Sequence, residues 1–355
     1  MEHLPSLAGL PLQEIETLLS PLPRFRASQI YKWIVRGVSD FSQMTDIPHS
    51  LRQEFASRFS LYSSVIDSFH EDRQAKKAVI KLKDGLKIEA VLLNDGKKRL
   101  TACLSTQAGC PADCVFCKTG SLGFARDLCA EEIAEQFLFL RNAAADTLGD
   151  EHIRDNHIIE NIVVMGMGEP LLNLAQLRMA AAFFTDPDGM NFSKRRITVS
   201  TCGICGGLFD IAENGPFIRL ALSLTTADEP LRQKLMPITA ANPLKKVKEA
   251  LALFQKKGGG RVTLEAVLLG GVNTRGKDAL SIAEFAKGLD TVVNIIPWNP
   301  ADGLEFEGKP LREPDREEIE KFIGLLESKG LKVTKRLRKG RGVNGACGQL
   351  GCLRS

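Results

Sequence analysis

Three cysteines that lie close together are the residues best suited to bind an inorganic cofactor. Cys110, Cys114 and Cys117 have the spacing C-x3-C-x2-C, and the glycine and proline beside them predict a loop. A [4Fe–4S] cluster is usually held by four cysteines, so three thiolates would leave one iron open to a ligand. The spacing therefore predicts a [4Fe–4S] cluster with a free coordination position.

The same cysteines allow other interpretations. A structural zinc ion needs further ligands, and Cys202 and Cys205 could supply a C-x2-C pair. A thiol redox motif, or a chance grouping in a chain with nine cysteines, also stays open. We interpret Cys202 and Cys205 as packing thiols rather than as a second metal site.

Two further cysteines stand apart from this loop. Cys103 lies seven residues before it, and Cys347 lies near the C-terminus among glycines. The glycines predict a loop rather than a core segment, and six basic residues between Lys332 and Arg341 favour a nucleophilic thiol at Cys347. All five histidines fall within the first 157 residues, so the C-terminal half must perform its chemistry without them.

Polar residues and glycines follow several predicted strands. Gly168 and Glu169 follow one strand, Ser200 and Ser223 end two others, and Asn299 follows a fourth. The carboxyl ends of parallel strands meet at one rim, so these residues are expected to form one ligand pocket. A glycine-rich turn lets backbone N–H groups approach a ligand closely, and Glu169 can accept a hydrogen bond from an amino group.

The elements that must position these residues alternate between strands and helices. Strand-like runs are Leu100–Ser105, Asn161–Met165, Ile197–Thr201, Arg219–Leu224, Val262–Leu268 and Val292–Ile296, with a last strand near Leu331–Leu337. Helical patterns cover Ala130–Arg141, Leu174–Phe184, Leu244–Gln255, Leu280–Lys287 and Pro314–Leu326. This alternation predicts an α/β fold with a parallel sheet. Six such units are fewer than the eight of a closed barrel and predict a partial (β/α)6 barrel.

The chain before the barrel has a different character. Residues 1–75 are predicted to be a helical accessory domain, and residues 76–99 a β-hairpin extension that turns at Asp84-Gly85. The barrel is assigned to residues 100–340 and a mobile C-terminal loop and tail to residues 341–355. Aromatic and basic residues alternate at Phe25-Arg26 and at Tyr31-Lys32-Trp33, a pattern that fits either a core stripe or a surface that contacts nucleic acid.

Composition excludes several classes of protein. Lys and Arg number 47 against 43 Asp and Glu, and this near balance argues neither for nor against a polyanionic partner. The sequence shows no secretory signal pattern and no apolar run of about 20 residues. An odd number of cysteines in a long chain argues against a disulfide framework. We therefore expect a cytoplasmic protein without a membrane segment, and a monomer by default.

The three-cysteine loop is similar to the signature of radical S-adenosylmethionine (SAM) enzymes. Nearly end to end, the chain resembles the RlmN/Cfr family of radical SAM RNA adenine methyltransferases, and most of all its RlmN branch. Besides that loop, the segments that carry the resemblance are Phe25-Arg26-Ala27, Tyr31-Lys32-Trp33, Asp40-Phe41, Cys103, Met165 to Leu171, Ser200-Thr201, Ser223-Leu224, Pro297 to Pro300, Arg341-Gly342 and Ala346 to Leu350. Two lone cysteines in addition to the loop are the specific part of the match.

The resemblance implies a mechanism that consumes two SAM molecules per turnover. One SAM methylates Cys347, and a second, bound to the cluster, gives a radical that activates the methyl group for addition to the base. Glu89 occupies the family's position for the carboxylate that removes the base proton. Cys103 then forms a disulfide with Cys347 and releases the methylated RNA. The SAM-binding residues implied in the same way are Gly168, Glu169, Ser200, Ser223, Leu224, Thr225 and Asn299.

The resemblance also implies a substrate and partners. The expected product carries a methyl group on C2 of an adenosine in 23S rRNA, and in tRNA, with flavodoxin or ferredoxin as electron donor. The basic clusters Lys194–Arg196 and Lys332–Arg341 would contact phosphates. Methylation at C8 of the same rRNA adenosine, as in the Cfr branch, is the nearest alternative, and a zinc-stabilised RNA-binding protein without catalysis is an alternative of another class. The chain departs from the family at Thr225, where a histidine is usual, and in the shorter loop before Cys347.

Overall fold

The computed structural model describes residues 4–96, 99–148, 158–336 and 339–353. Its strands are β1 (Val65–Glu71), β2 (Ala75–Lys81), β3 (Lys87–Asn94), β4 (Leu100–Leu104), β5 (Gln107–Gly109), β6 (Phe124–Asp127), β7 (Asn161–Val164), β8 (Ile197–Thr201), β9 (Arg219–Ser223), β10 (Val262–Leu268), β11 (Thr291–Pro297), β12 (Glu305–Phe306), β13 (Lys309–Pro310) and β14 (Val333–Lys335). Its helices are α1 (Leu12–Leu18), α2 (Arg24–Val35), α3 (His49–Arg58), α4 (Lys118–Ser121), α5 (Ala130–Leu148), α6 (Leu174–Thr185), α7 (Cys205–Asn214), α8 (Glu229–Leu235), α9 (Leu244–Lys256), α10 (Gly276–Ala286) and α11 (Arg316–Ser328).

Ten strands form one sheet in the order β1-β2-β3-β4-β7-β8-β9-β10-β11-β14. Neighbours from β4 to β14 are parallel, and the strands follow one another along the sheet in chain order. Helices between the strands bury one apolar stripe each; in α9 this stripe is Leu244, Val247, Leu251 and Phe254. The predicted partial barrel is confirmed, and the first six predicted barrel strands match the observed ones to within one residue at each end.

Antiparallel strands extend the sheet beyond the barrel. The hairpin predicted around Asp84-Gly85 is confirmed as β2 and β3, and β3 continues the antiparallel pairing to β4. The prediction of helix up to residue 75 is wrong for Val65–Glu71, which pairs with β2 as the edge strand. This strand is mostly exposed and carries polar residues at both phases, so its sequence lacks the apolar alternation by which strands are recognised.

Three of the described helices were not predicted, and one predicted strand is shorter. The sequence pattern missed α4, α7 and α8, which are only 4, 10 and 7 residues long. The start of α8 nevertheless carries the expected signals, since the Asp228 side chain accepts from the Leu231 N–H and a proline occupies the first turn. The last strand spans Val333–Lys335 rather than Leu331–Leu337, of which Leu337 lies outside the described residues.

The N-terminal helices pack against α5 of the barrel. An Arg141 guanidinium donates to the Val35 carbonyl, and the Asn142 side chain donates to the Gly37 carbonyl at 2.7 Å. Glu135 is buried on the same helix, and its carboxylate accepts from the Ser64 N–H at 3.0 Å. In the described part of the chain, none of the helices has the length and apolar character needed to cross a bilayer.

Candidate active site

The cysteine loop begins directly after β5 and ends at α4. Gly109 has a φ of 79°, and a Cβ there would lie 2.0 Å from the Gly123 carbonyl oxygen, so this position needs glycine. The Cys110 N–H donates to that same carbonyl at 2.9 Å, and the Cys117 N–H donates to the Cys114 carbonyl at 3.0 Å. Backbone hydrogen bonds therefore hold the loop at its start and near its end.

The three thiols of this loop line one cavity of about 160 Å³. Burial raises the pKa of Cys110 to about 12, and burial followed by the neighbouring thiols raises the pKa of Cys114 well above its usual range. Among the described residues, no three His, Cys, Asp or Glu side chains are already gathered around a single-ion site. Three partly buried thiols on one short loop fit an iron–sulfur cluster, which binds thiolates and would displace their protons.

Most of the predicted strand-end residues line the same cavity. Gly168, Glu169, Ser200, Ser223 and Asn299 all border it. Parallel strands end at one rim of the barrel, and for this reason residues far apart in the sequence meet here.

The Glu169 carboxylate is buried at the wall of this cavity. It accepts from the Leu171 N–H at 3.0 Å and from the Cys202 N–H at 2.7 Å. Burial raises its pKa, while these donors act in the opposite direction. Cys202 is itself buried and borders the cavity, whereas Cys205 is the first residue of α7.

Leu224 and Thr225 occupy a different position from the one expected. Both are buried behind the strand ends, and neither is among the described residues that border the cavity. Thr225 has a φ of 61°, and its N–H donates to the Glu265 carbonyl at 2.9 Å. Their contribution to this site is through the backbone turn after β9.

Asn299 offers an unused acceptor at the rim. Its side-chain N–H donates to the Cys347 carbonyl at 3.1 Å, but its buried Oδ1 has no hydrogen-bond partner. An unpaired buried acceptor is costly, and a ligand with an N–H or O–H group would remove that cost. This atom is independent support for a polar ligand in the cavity.

Cys347 stands where this cavity meets a second one. The second cavity has a volume of about 440 Å³ and is bordered by Cys103 as well as Cys347. Burial, and then the neighbouring Cys347, raises the pKa of Cys103 to about 12. All nine cysteines are free thiols in this structure.

Arg336 and Glu265 are site residues that the sequence analysis missed. Arg336 borders both cavities, and its pKa is raised chiefly by Cys347, then by Glu265 and Cys103. Its guanidinium lies 3.5 Å from the Glu265 carboxylate, which also accepts from the Ser200 hydroxyl at 2.9 Å. The available signal for Glu265 was a charged residue at the centre of the mostly apolar strand Val262–Leu268.

Glu89 is buried but lies to the side of this arrangement. It is not among the described residues that border either cavity. Its carboxylate pairs with the Lys77 ammonium at 2.6 Å and accepts from the Gly351 N–H at 2.6 Å. The C-terminal tail thus covers the carboxylate that the sequence analysis assigned as a base.

A third missed residue, Arg232, supports the strand ends from behind. It is fully buried, and its guanidinium donates to the carbonyls of Cys202 at 2.6 Å and Leu224 at 3.0 Å. It also donates to the Thr239 hydroxyl at 2.6 Å. These bonds tie the turns after β8 and β9 to α8.

The loop that carries Cys347 is anchored on both sides. Before it, the Gly342 N–H donates to the Asp72 carboxylate at 3.1 Å. After it, the Gly348 carbonyl accepts from the Lys118 N–H at 2.8 Å, and the Leu350 carbonyl accepts from the Thr119 hydroxyl at 2.7 Å. The cysteine loop and the C-terminal loop are therefore held directly against each other.

Two family models match the chain. Residues 104–285 match the radical SAM superfamily, and residues 6–61 match the N-terminal domain of a ribosomal RNA large subunit methyltransferase. The first match covers the cysteine loop and most of the barrel. The second covers helices α1 to α3.

Individual relatives match over almost their whole length. A probable dual-specificity RNA methyltransferase RlmN from Treponema denticola is 45% identical, over 98% of this chain and 95% of that protein. The dual-specificity RNA methyltransferase RlmN of Lawsonia intracellularis is 39% identical, over 97% of this chain and 96% of that protein. The crystal structure of a radical SAM methyltransferase from Sphaerobacter thermophilus has a TM-score of 0.90 and 34% identity, covering 98% of this chain and 99% of that chain.

Proposed function

Since the chain belongs to the RlmN family of radical SAM RNA methyltransferases, we propose that it methylates C2 of an adenosine in 23S rRNA and in tRNA. The observation that carries the proposal is the position of Cys347. Its side chain borders the cavity of the cluster cysteines and also the cavity that contains Cys103. A thiol in this position can receive a methyl group on one side and deliver it on the other.

The cofactors of the proposed reaction are a [4Fe–4S] cluster and two SAM molecules per turnover. Cys110, Cys114 and Cys117 would hold the cluster, and SAM and the cluster together supply the methyl group and the radical. The rim residues would orient SAM. Gly168 would contact it through its backbone, the Glu169 carboxylate would accept a hydrogen bond from the SAM amino group, and the unpaired Asn299 Oδ1 would accept another. Ser200 and Ser223 would shape the remaining wall, and Leu224 and Thr225 would support it from behind through the turn after β9.

Cys347 is the proposed methyl carrier and Cys103 the residue that resolves the RNA adduct. The buried Cys103 thiol must lose its proton before it can attack sulfur, and its raised pKa opposes this step. The nearby Arg336 guanidinium acts against this rise and favours a thiolate at Cys103. In the resolving step the Cys103 thiolate attacks the Cys347 sulfur, forming the S–S bond and breaking the bond from that sulfur to the methylene carbon on the base. The electron pair of the broken bond goes to this carbon, which takes up a proton and becomes the methyl group.

Glu89 is the proposed base for the proton on the adenine ring. In the described structure its carboxylate is bound by Lys77 and by the Gly351 N–H. The role therefore requires the C-terminal tail to release the carboxylate during the reaction. This release would couple the movement of the Cys347 loop to the exposure of the base.

The proposed domain arrangement assigns RNA contacts to the first 75 residues, which precede the hairpin (76–99), the barrel (100–340) and the tail (341–355). Phe25 is 54% exposed, and the Arg26 guanidinium lies 4.7 Å from the centre of its ring. The Arg36 guanidinium lies 5.0 Å from the Trp33 ring. The exposed Phe25 ring and the half-buried Trp33 ring, each beside an arginine, suit stacking with unpaired bases. The proposal further includes that the protein is a monomer in the cytoplasm and that flavodoxin or ferredoxin reduces its cluster.

The position of methylation is decided by mass spectrometry of nucleosides. Reconstituted enzyme is incubated with SAM, a reductant and either 23S rRNA fragments or tRNA, and the RNA is then digested. We expect 2-methyladenosine from both substrates. Product in the 8-methyl form alone would refute the C2 assignment and favour the C8 alternative.

The two cysteine roles are tested by trapping the RNA adduct. A Cys103→Ala protein should accumulate a covalent protein–RNA complex on a denaturing gel, because the adduct forms but is not resolved. A Cys347→Ala protein should form none, since it lacks the methyl carrier. Turnover by the Cys103→Ala protein without a trapped complex would refute the resolving role.

A further inference from the structure

Cys202 lies at the cavity of about 160 Å³, and the proposed reaction gives it no task. The cysteines that border this cavity are Cys110, Cys114, Cys117, Cys202 and Cys347. Cys205, the other member of the C-x2-C pair, is not among the described residues that border it and begins α7 instead. The structure therefore separates two cysteines that the sequence pattern treats alike.

The Cys202 thiol lies close to a cluster cysteine and to a carboxylate. Burial, followed by the Glu169 carboxylate and the Cys114 thiol, raises the pKa of Cys202 well above its usual range. The residue is only 6% exposed, so a ligand of this thiol would have to lie inside the protein. The cavity that Cys202 shares with the cluster cysteines is the space available to such a ligand.

The backbone holds Cys202 in this position. Its N–H donates to the Glu169 carboxylate at 2.7 Å, and its carbonyl accepts from the Arg232 guanidinium at 2.6 Å. The next residue, Gly203, has a φ of 100°, and its N–H donates to the Thr201 hydroxyl at 3.0 Å. Since the peptide groups on both sides are bonded, the thiol is carried by a fixed turn, as a preorganised ligand requires.

The loop cysteines leave one iron of a [4Fe–4S] cluster without a thiolate. Each iron of such a cluster takes its own ligand, so the four ligands stand around the cluster and not around a single ion. The described side chains agree with this arrangement, because no three potential ligands among them are gathered at a single-ion site. Thiolates are the soft ligands that iron–sulfur clusters prefer, and Cys202 is a thiol on the wall of the same cavity.

We propose that Cys202 binds the open iron of the cluster while SAM is absent and releases it when SAM binds. The inference rests on the cluster of the proposed function, and it assigns that cofactor a resting state. As this state forms, the Cys202 S–H bond breaks, the proton passes to the Glu169 carboxylate, and a sulfur–iron bond replaces a weakly bound water without any electron transfer. When SAM takes the iron, the sulfur–iron bond breaks and the proton returns to the thiolate. Glu169 is then free to accept a hydrogen bond from the SAM amino group.

Cys347 borders the same cavity and is the competing ligand. It also borders the larger cavity that contains Cys103, whereas Cys202 is not among the described residues there. A thiol between two cavities suits a carrier that must stay free to receive a methyl group. The geometry therefore favours Cys202 as the iron ligand, and a Cys347 variant belongs in the test.

The test measures how firmly the fourth iron is held in the reconstituted full-length protein without SAM. Ferricyanide and EDTA remove an iron that lacks a thiolate, and the remaining three-iron cluster has its own electron paramagnetic resonance signal. The variants are Cys202→Ala, Cys202→Ser and Cys347→Ala. Cys205→Ala is the matched control, because this cysteine lies three residues further along the chain and is not among the described residues at the cavity.

We expect the wild type, Cys205→Ala and Cys347→Ala to keep about four irons per chain, and Cys202→Ala to keep about three. SAM should protect the fourth iron of Cys202→Ala, because it binds that iron. Equilibrium dialysis should show that Cys202→Ala binds SAM about tenfold more tightly than the wild type, the factor expected when roughly nine in ten clusters carry the thiolate. A purely structural role of Cys202 would weaken SAM binding instead.

Equal loss of iron from the wild type and from Cys202→Ala would overturn the inference, and so would loss from Cys347→Ala alone. Cys202→Ser, which keeps the size of the side chain but offers iron a poorer ligand, decides the question if Cys202→Ala does not fold. Loss of the fourth iron from the wild type without SAM refutes the inference even if neither variant folds. A wild type that assembles no iron at all would refute the proposed cluster itself.

Discussion

Glu135 gives the contact between the N-terminal helices and the barrel a dependence on pH. Its carboxylate accepts hydrogen bonds from the backbone N–H and the hydroxyl of both Ser63 and Ser64. Burial raises its pKa from 4.5 to about 7, against the effect of those donors. The folded protein therefore keeps a proton on Glu135 at pH values where the unfolded chain has lost it. The resulting stability is complete below about pH 4.5 and is lost as the pH rises through 7.

Replacement of Glu135 by glutamine should remove this dependence. The difference between 4.5 and about 7 corresponds to about 3 kcal/mol in the free energy of unfolding. A glutamine also places an amide N–H against the serine donors, which costs about 1–3 kcal/mol but at every pH. This cost shifts the free energy of unfolding by the same amount at every pH. Only the slope of the free energy of unfolding against pH therefore reports on the proton at Glu135.

Urea unfolding of the wild type and of Glu135→Gln under reducing, anaerobic conditions measures this slope. Between pH 4.5 and 8, the wild type should lose about 3 kcal/mol more than the variant. Protonation elsewhere in the protein, including at the cluster cysteines, is common to both and cancels in the difference. Glu327→Gln, at an exposed position of α11, controls for the loss of one negative charge. Parallel curves for the wild type and Glu135→Gln would refute the reasoning and show that the serine donors keep Glu135 ionised.

Three further predictions concern two buried cations near the site and one cysteine of the cluster loop. Lys77→Met should lower the free energy of unfolding by about 3–5 kcal/mol in urea, because it leaves the Glu89 carboxylate buried without its cation, and Glu89→Gln in the same protein should recover part of the loss. Arg232→Met should cost about 2–4 kcal/mol by the same measurement, since the Cys202 carbonyl and other buried acceptors lose their donor, and Arg232→Lys should recover little. Cys114→Ala should prevent assembly of about four irons per chain in an anaerobic iron assay; a full complement of iron would remove Cys114 from the ligand set.

The barrel was predictable because its strands are short runs rich in apolar and β-branched residues, bounded by turns. Val262–Leu268 and Ile197–Thr201 match the observed strands at both ends. Edge strand β1 was not predictable in this way, because a strand with one neighbour and little burial needs no apolar alternation.

The candidate site was only partly predictable for a related reason. Cysteines and strand-end glycines are visible as motifs, whereas Arg336, Glu265 and Arg232 are single charged residues whose burial depends on the tertiary fold. Alternation along β10 and β9 does assign Glu265 and Arg219 to the inner face once the strand phase is known. That phase comes from the register with neighbouring strands, and a single strand's sequence does not contain it.

The meeting of two cavities at Cys347 has a kinetic consequence under the proposed function. A methyl donor in the cavity of the cluster cysteines and an RNA base in the cavity of Cys103 would not compete for one space. The enzyme could be charged with a methyl group before RNA arrives, and the products of SAM could leave while RNA remains bound. Such a protein would show the double-displacement kinetics of a carrier, with the thiol as the group that reacts with both substrates.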